Sequence, residues 1–394
     1  MTGAGRPMRQ GKLPDVGTTI FTVISQLAQD LGAVNLGQGF PDYPVAPRLV
    51  ELIGDAMRAG HNQYAPMAGV PALQQAIAAG LADRQGVRID PATQVTITLG
   101  ATEAIFSTLL ALLGPGDEAI VFDPSYDSYD PAIRLAGAHS VRLPMTPPAF
   151  TYDWDRVAAA ITPRTRMIVV NSPQNPSCTI LSADDLAQLA ALADRHDLLV
   201  LSDEVYEPLV YDGRRHHGVL AHPGLAPRSI AVFSFGKVLH ATGLRIGYAV
   251  ATPELTRELR KVHQFNTFTV PTAFQHAIAA YLAETPDSHT GLAAFFAPRR
   301  DILPRLLAGS PLRFLPPAGT YFQLADYSQC PRLGELGDHD AAMLLLREAG
   351  VASIPLSPFY REPPAGSRLL RFCFAKREET LQEGARRLAA FTAR

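Results

Sequence analysis

The sequence predicts an α/β fold in which a large domain, built on a doubly wound and mostly parallel sheet flanked by helices, is followed by a smaller α+β domain. Three observations carry this expectation. Short apolar runs of strand length alternate persistently with segments of helical periodicity between about residues 46 and 248, the pattern of repeated strand–helix–strand units. After Tyr248 that alternation gives way to long helical stretches and then to shorter strands. The chain has 394 residues, 47% of them hydrophobic and 18% charged, so it can bury a large core and is longer than one average domain.

Taken in order, residues 1–17 read as a flexible N-terminal arm, because the first 12 are polar and basic. Apolar residues then recur at helical spacing over 18–31 (Ile20, Val23, Ile24, Leu27, Leu31), and the turn-rich N-L-G-Q-G-F-P-D-Y of residues 35–43 follows as a loop. Residues 18–45 are expected to join the smaller domain. Helices are predicted over 46–59 and 70–85, a strand over 95–99, a helix over 102–113, a strand over 119–122, a helix over 128–136 and a short strand over 140–143. The same reading gives a helix over 154–160, a strand over 167–171, a helix over 183–195, and strands over 198–202 and 230–233. One long helix is read from 253 through 284, then a helix over 292–307 and short strands around Phe314 and Tyr321. The domain boundary is placed inside the long helix near residue 280, giving a large domain of residues 46–280 and a small one of residues 281–394.

A formal net charge of −2 and the lack of a long basic run give no electrostatic basis for binding nucleic acid or an anionic membrane surface. The first residues lack an apolar signal core, and no stretch approaches the ~20 apolar residues of a membrane span, so a cytoplasmic protein acting on small molecules is expected. Cys178, Cys330 and Cys373 are scattered, without C-x-x-C spacing, which argues for reduced thiols rather than a disulfide framework or a zinc site. His216, His217 and the other histidines lack a spaced ligand partner and read as surface or loop residues, so no metal is expected. G-P-G-D-E-A at 114–119 fits a dinucleotide fingerprint but lies between a helix and a strand, the wrong context, and no G-x-x-x-x-G-K-[ST] is present.

The chemistry is organised around the stretch from Arg228 to Tyr248. Its apolar run empties into Ser234-Phe235-Gly236-Lys237, a tight turn whose lysine is flanked by Phe235, Val238 and Leu239. Desolvation there would lower the lysine pKa and free an amine able to form a Schiff base with a carbonyl; the plainer alternative is a lysine snorkelling from a loop. The Ser234 hydroxyl and the Arg245 guanidinium could hold a phosphate beside it, and a lysine next to a phosphate site suggests pyridoxal phosphate.

Ligands of an open α/β sheet gather at the carboxyl ends of its strands, so the residues ending each predicted strand are the further candidates. Gly100-Ala101-Thr102 offers free backbone N–H groups and a hydroxyl to a phosphate; a simple N-cap at Thr102 is the alternative. Asp203 follows an apolar strand and needs a partner, for which a protonated pyridine nitrogen is suitable. Arg371 lies inside L-L-R-F-C-F, where an unpaired guanidinium is expensive, so it implies either a substrate carboxylate or a structural bridge to a glutamate. Gly39 would let backbone approach that same carboxylate. Phe21, Tyr64, Phe265, Phe268 and Phe359 offer an aromatic side-chain pocket with no obvious second arginine for a distal carboxylate.

S-F-G-K followed by G-L-R-I-G-Y, with D-E-V-Y at 203–206 and R-F-C-F at 371–374, resembles the class I/II aminotransferases of fold type I, and the resemblance covers nearly the whole chain. It implies a mostly parallel seven-stranded sheet, pyridoxal 5′-phosphate on Lys237, and a homodimer with active sites shared across the interface. It also implies roles. Tyr126 in D-P-S-Y stacks on the pyridine ring, Asn175 and Tyr206 bind the cofactor's phenolic oxygen, and Arg371 clamps the substrate α-carboxylate, with Phe21, Gly39 and Asn175 beside it. Tyr64 in N-Q-Y reaches the phosphate of the neighbouring subunit.

The chain departs from the family's N-P-x-G turn, with Cys178 in the glycine's place and Gln174 where histidine is common. The segments T-T-I-F, V-N-L-G-Q-G-F-P-D, D-P-S-Y-D-S-Y, K-V-H-Q-F and V-A-S-I-P-L-S-P-F-Y are most similar to the branch holding bacterial methionine aminotransferases and kynurenine aminotransferases (glutamine transaminase K). The implied reaction is ping-pong transfer of the amino group of methionine, and of aromatic amino acids, to a 2-oxo acid. A kynurenine or glutamine aminotransferase with cysteine-S-conjugate β-lyase activity, and an N-succinyldiaminopimelate aminotransferase, are the alternatives. A non-catalytic regulator with such a body would carry an extra DNA-binding region, and no stretch is long enough to supply one.

Overall fold

The computed structural model describes residues 11–393. Of the segment read as a flexible arm, residues 1–10 lie outside the described residues; within the rest, Asp15 pairs with Arg134. A first short strand, β1 (Val34–Asn35), precedes the main sheet, which contains β2 (Val95–Thr98), β3 (Glu118–Asp123), β4 (His139–Pro144), β5 (Thr165–Asn171), β6 (Leu199–Asp203), β7 (Ser229–Ser234) and β8 (Gly247–Ala251). Their order is β2-β8-β7-β6-β5-β3-β4. All neighbours are parallel except β8, which runs antiparallel to both β2 and β7.

The continuous apolar runs of the sequence follow from burial on both faces. Alternate residues of each strand feed two cores: Ile120, Ile168, Val200 and Phe233 on one face, Val121, Val169, Leu201 and Val232 on the other. Helices cover both faces. Ala183–Arg195, for example, opens with a capping box at Ser182 and Asp185 and turns Leu186, Leu189 and Ala193 inward.

A second, antiparallel sheet has the order β12-β13-β10-β9, built from β9 (Arg313–Phe314), β10 (Phe322–Asp326), β12 (Ile354–Pro355) and β13 (Leu369–Cys373). β1 pairs in parallel with β11 (Val351–Ala352). The helix Ile20–Asp30, capped by the Thr19 hydroxyl, packs Ile24 and Ala28 against Leu346, Ala352, Ile354 and Phe359.

Three sequence expectations need correction. The long helix over 253–284 is two helices, Pro253–Asn266 and Thr272–Glu284. Phe268 between them adopts a left-handed φ of 67°, and Pro271, which has no N–H to give, stands at the start of the second. The helix over 292–307 is likewise divided, into Leu292–Arg300 and Ile302–Leu306. The turn carrying Lys237 is a one-turn helix, Phe235–Val238. β8 was hidden within G-Y-A-V-A, an apolar run that closes the Lys237 stretch and continues straight into the next helix.

Candidate active site

The carboxyl ends of the parallel strands converge on a cavity of about 260 Å³. Lys237, Ser234 and Arg245 line one wall, Ala101 and Thr102 another, and Asp203, Tyr206, Asn175 and Tyr126 lie at the strand ends between them. Phe21, Gly39 and Arg371 close the cavity from the side of the second sheet. Twelve residues singled out from eight stretches of the sequence thus meet in one place, whereas Tyr64 does not line the cavity.

Lys237 reaches the cavity because β7 ends at Ser234 and the short helix turns the chain back. Its Nζ lies 5.8 Å from the Tyr206 ring centre and 5.9 Å from that of Tyr321. Burial pushes its pKa down to about 8, although part of the side chain is still reached through the cavity mouth. Ser234 leaves its hydroxyl free of any capping bond.

The helix Gly100–Leu112 begins two residues earlier than the sequence suggested, so Thr102 is inside the first turn and the N-cap alternative falls. Gly100 has a φ of +71°, and a Cβ there would stand 2.7 Å from the Arg245 guanidinium. Glycine therefore brings a positive side chain against amides that a helix leaves unpaired, a combination suited to a phosphate.

At the end of β6 Asp203 is held by the Tyr129 hydroxyl at 2.6 Å and by the backbone N–H of Val205 at 3.3 Å. Burial pushes its pKa up to about 6, against those two bonds. Asn171 donates to the Asp203 carbonyl at 2.8 Å and accepts from the Asn175 N–H at 2.9 Å, locking the β5 and β6 ends together. Tyr129 and Asn171 were not singled out in the sequence. Tyr129 stands in the quoted D-P-S-Y-D-S-Y, yet its partner is far away in sequence. Tyr126 lies edge-on to it at 5.7 Å. Cys178, where glycine is usual, adopts a left-handed φ of 65°, the conformation that glycine supplies without strain.

Arg371, in β13, is 1% exposed. It donates to Asn175 Oδ1 and, at 3.0 Å, to the Gly37 carbonyl, while its buried Nε has no partner. No carboxylate of the described residues pairs with it, which removes the structural salt bridge as an explanation. Its guanidinium lies over Phe322 at 4.0 Å, with Phe359 at 5.3 Å and Phe21 at 5.4 Å. Burial pushes its pKa down. Gly39 lines the same cavity as Arg371; its carbonyl accepts from the Tyr321 hydroxyl at 2.7 Å, and its missing side chain leaves room for the Phe322 ring.

The aromatic pocket is smaller than expected. Phe21 and Phe322 line it, with Phe359 buried edge-on behind Phe21 at 5.6 Å, whereas Tyr64 (83% exposed), Phe265 (86%) and Phe268 stand outside this chain's own cavity. Asp127 and Gln38, also missed, line it. His216, read as a surface or loop residue, lies in a loop, with its side chain buried against Glu204 at 2.8 Å.

The model of the family described as aminotransferase class I and II matches residues 32–388. The methionine aminotransferase of Escherichia coli (strain K12) is 46% identical over 379 residues, covering 96% of this chain and 97% of the relative. A probable N-succinyldiaminopimelate aminotransferase of Mycobacterium tuberculosis (strain ATCC 25618 / H37Rv) is 40% identical over 400 residues, covering 98% and 99%. A solved Escherichia coli structure, whose crystal structure and reactivity identify a methionine aminotransferase function, superposes with a TM-score of 0.94 at 45% identity, covering 97% of this chain and 99% of the other. With the buried lysine, the strand-end aspartate and the unpaired arginine in one cavity, the chain belongs to the class I and II aminotransferases of fold type I.

Proposed function

We propose that the chain binds pyridoxal 5′-phosphate and moves the amino group of methionine, and of aromatic amino acids, to a 2-oxo acid in two half-reactions on one site. Arg371 carries the reading: a fully buried guanidinium with an unpartnered Nε, in the same cavity as a desolvated lysine, is a charge awaiting a carboxylate. The residues fit the cofactor. The Gly100–Thr102 amides, Ser234 and Arg245 would hold its phosphate, with Tyr126 on its ring face. Asp203 would hold the ring nitrogen, Asn175 and Tyr206 the phenolic oxygen, and Lys237 the carbonyl carbon. When bound, the cofactor supplies an electrophilic carbon and an electron sink for the pair released at the substrate Cα.

The protein's own residues do the rest. Arg371 with Asn175 orients the α-carboxylate, so that the Cα hydrogen faces Lys237. The Lys237 amine, kept partly neutral by burial, would take that proton as general base and, once charged, could give it up again as general acid. Asp203 holds the ring-nitrogen proton in place throughout. Phe21 and Phe322 would receive an apolar side chain.

Methionine is favoured over N-succinyldiaminopimelate because, besides Arg371, the cations lining the cavity are Lys237 and Arg245 at its phosphate end, and the Asp127 carboxylate also lines it. A distal carboxylate finds no counter-charge there. The exposed Tyr64, Phe265 and Phe268 would be covered by a second copy, giving a cytoplasmic homodimer in which Tyr64 reaches the neighbour's phosphate. The division into residues 46–280 and 281–394, with 18–45 joined to the latter, belongs to the same proposal.

Purified protein loaded with pyridoxal 5′-phosphate should convert methionine to its 2-oxo acid with kcat/KM at least about tenfold above that for N-succinyldiaminopimelate or kynurenine. The reverse order would overturn the substrate assignment. Borohydride reduction should fix the cofactor to Lys237, and labelling of another lysine would overturn the cofactor assignment. Pyruvate and ammonia released from a cysteine conjugate without added 2-oxo acid would reveal the lyase alternative.

A further inference from the structure

K-V-H-Q-F, one of the segments singled out in the sequence, takes no part in the site described above. Its His263 is fully buried in the last turn of the helix Pro253–Asn266. Nδ1 lies 3.1 and 3.2 Å from the two carboxylate oxygens of Glu103, and Nε2 lies 3.0 Å from the Met67 carbonyl. A carbonyl can only accept, so Nε2 donates to it. Glu103 accepts from the Leu99 N–H at 3.2 Å and from the Ser107 hydroxyl, with the imidazole Nδ1 beside both of its oxygens. The ring thus sits between the Glu103 carboxyl group and the Met67 carbonyl, and it links three segments that are distant in sequence.

What it links is specific. Leu99 is the residue immediately before Gly100, whose positive φ aims the first amides of the helix Gly100–Leu112 into the cavity. Glu103 grips the Leu99 N–H from one turn further along the same helix, and His263 grips Glu103. Met67, on the other side of the ring, ends the N-Q-Y-A-P-M segment that carries Tyr64. Buried polar groups with every partner present hold one geometry and resist alternatives.

We propose that His263 is a positioning residue for phosphate binding. Through Glu103 and Leu99 it fixes the Gly100–Thr102 turn, and through Met67 it fixes the segment bearing Tyr64, so that the cofactor's phosphate meets a preformed site. This rests on the cofactor reading above.

The test uses two ligands that share ring and aldehyde and differ in the phosphate. Protein freed of cofactor is titrated with pyridoxal 5′-phosphate and with pyridoxal, and each Kd is read from the visible absorbance of the bound form. A wild-type protein that binds neither sinks the cofactor reading and this inference with it. Given a wild-type preference for the phosphorylated ligand, His263→Gln, which can satisfy one acceptor but not both, should raise the Kd of pyridoxal 5′-phosphate about tenfold, the size of one charge-assisted hydrogen bond. The Kd of pyridoxal should stay within about twofold. Glu103→Gln should act in the same direction, and His263→Leu more strongly. Equal weakening of both ligands, as a merely structural role would give, or an unchanged ratio overturns the proposal. If His263→Leu is recovered only as aggregate, the two glutamine variants decide by the same ratio.

Discussion

Asp203 and Glu204 are adjacent, yet their carboxylates belong to two differently built clusters. Glu204 accepts from His216 at 2.8 Å, the Ser202 hydroxyl at 2.9 Å and the Val219 N–H at 3.1 Å. Close by, Arg84 donates to Glu207 at 3.1 and 3.3 Å. Burial opposes both of those charges, but each outweighs it for the other: Arg84 is pushed up, and Glu207 is held below the usual carboxylate range with His216 contributing. On the Asp203 side the balance is reversed. Burial wins for Lys237, Asp203 and Arg371, so each is pushed towards its neutral form. Buried charge alone therefore does not mark a functional site. Buried charge that the chain leaves uncompensated does, because a ligand can supply what is missing.

The adjacent carboxylates offer the sharpest separation. Asp203→Asn keeps the shape and removes the charge, so Cα proton abstraction should slow about 10³-fold, the effect of deleting one preorganised electrostatic partner. Cofactor should still bind. Glu204→Gln should leave that rate within about twofold and lower stability instead. Single-turnover absorbance measurements on both variants test this, and equal rates in the two would erase the distinction.

The paired arginine comes next. Arg84→Met leaves Glu207 buried without its partner, which should cost ~3–5 kcal/mol of unfolding free energy. In urea melts the midpoint should fall, while kcat/KM of the folded fraction stays within about twofold. A variant of normal stability but low activity would place Arg84 in the wrong cluster.

Arg371→Lys probes the unpaired arginine. The charge survives, but the fork that can meet a carboxylate and Asn175 together is lost. Both half-reactions should lose about 10²-fold in kcat/KM, ~3 kcal/mol, with stability unchanged, since no protein carboxylate depended on it. Stopped-flow measurement of each half-reaction decides, because impairment with only the amino donor or only the 2-oxo acid would put the carboxylate clamp elsewhere.

Much of this contrast was legible in the sequence, and the reasons differ by residue. Lys237, Asp203 and Asn175 could be read because parallel strands are apolar throughout, so the first polar residues after each run sit at the same end of the sheet. Arg371 could be read because a charge inside an apolar strand has few explanations. Tyr129, Asn171 and His263 could not be assigned. Each acts through a partner that the fold alone brings near, as when the Tyr129 hydroxyl meets Asp203 across β3 and β5. Phe265 and Phe268 stand outside this chain's own cavity, because aromatic character says nothing about direction once Pro271 has broken the helix. That break was available in the sequence, since proline cannot continue a helix, and the apolar periodicity on both sides concealed it.

The smallest effect tests the cavity's uncompensated state directly. In protein freed of cofactor, burial pushes Lys237 down to about 8 from its ordinary 10.5. The unfolded chain then holds the lysine proton more tightly than the folded one, so between pH 8 and 10.5 stability rises with pH. Below pH 8 the amine is charged in both states and the full cost of burying it is present; above 10.5 it is neutral in both and the cost is gone. The shift corresponds to ~3 kcal/mol, which solvent entering the cavity mouth reduces to ~2 kcal/mol. Lys237→Met has no amine to bury. The difference in urea stability, wild type minus Lys237→Met, should therefore climb by ~2 kcal/mol from pH 8 to 10.5 when Cys373, whose thiol the Lys237 charge pulls down, is replaced by Ser in both proteins. A flat difference would mean that Lys237 is already compensated in the empty cavity, and the cavity would then be no different in kind from the Arg84–Glu207 pair.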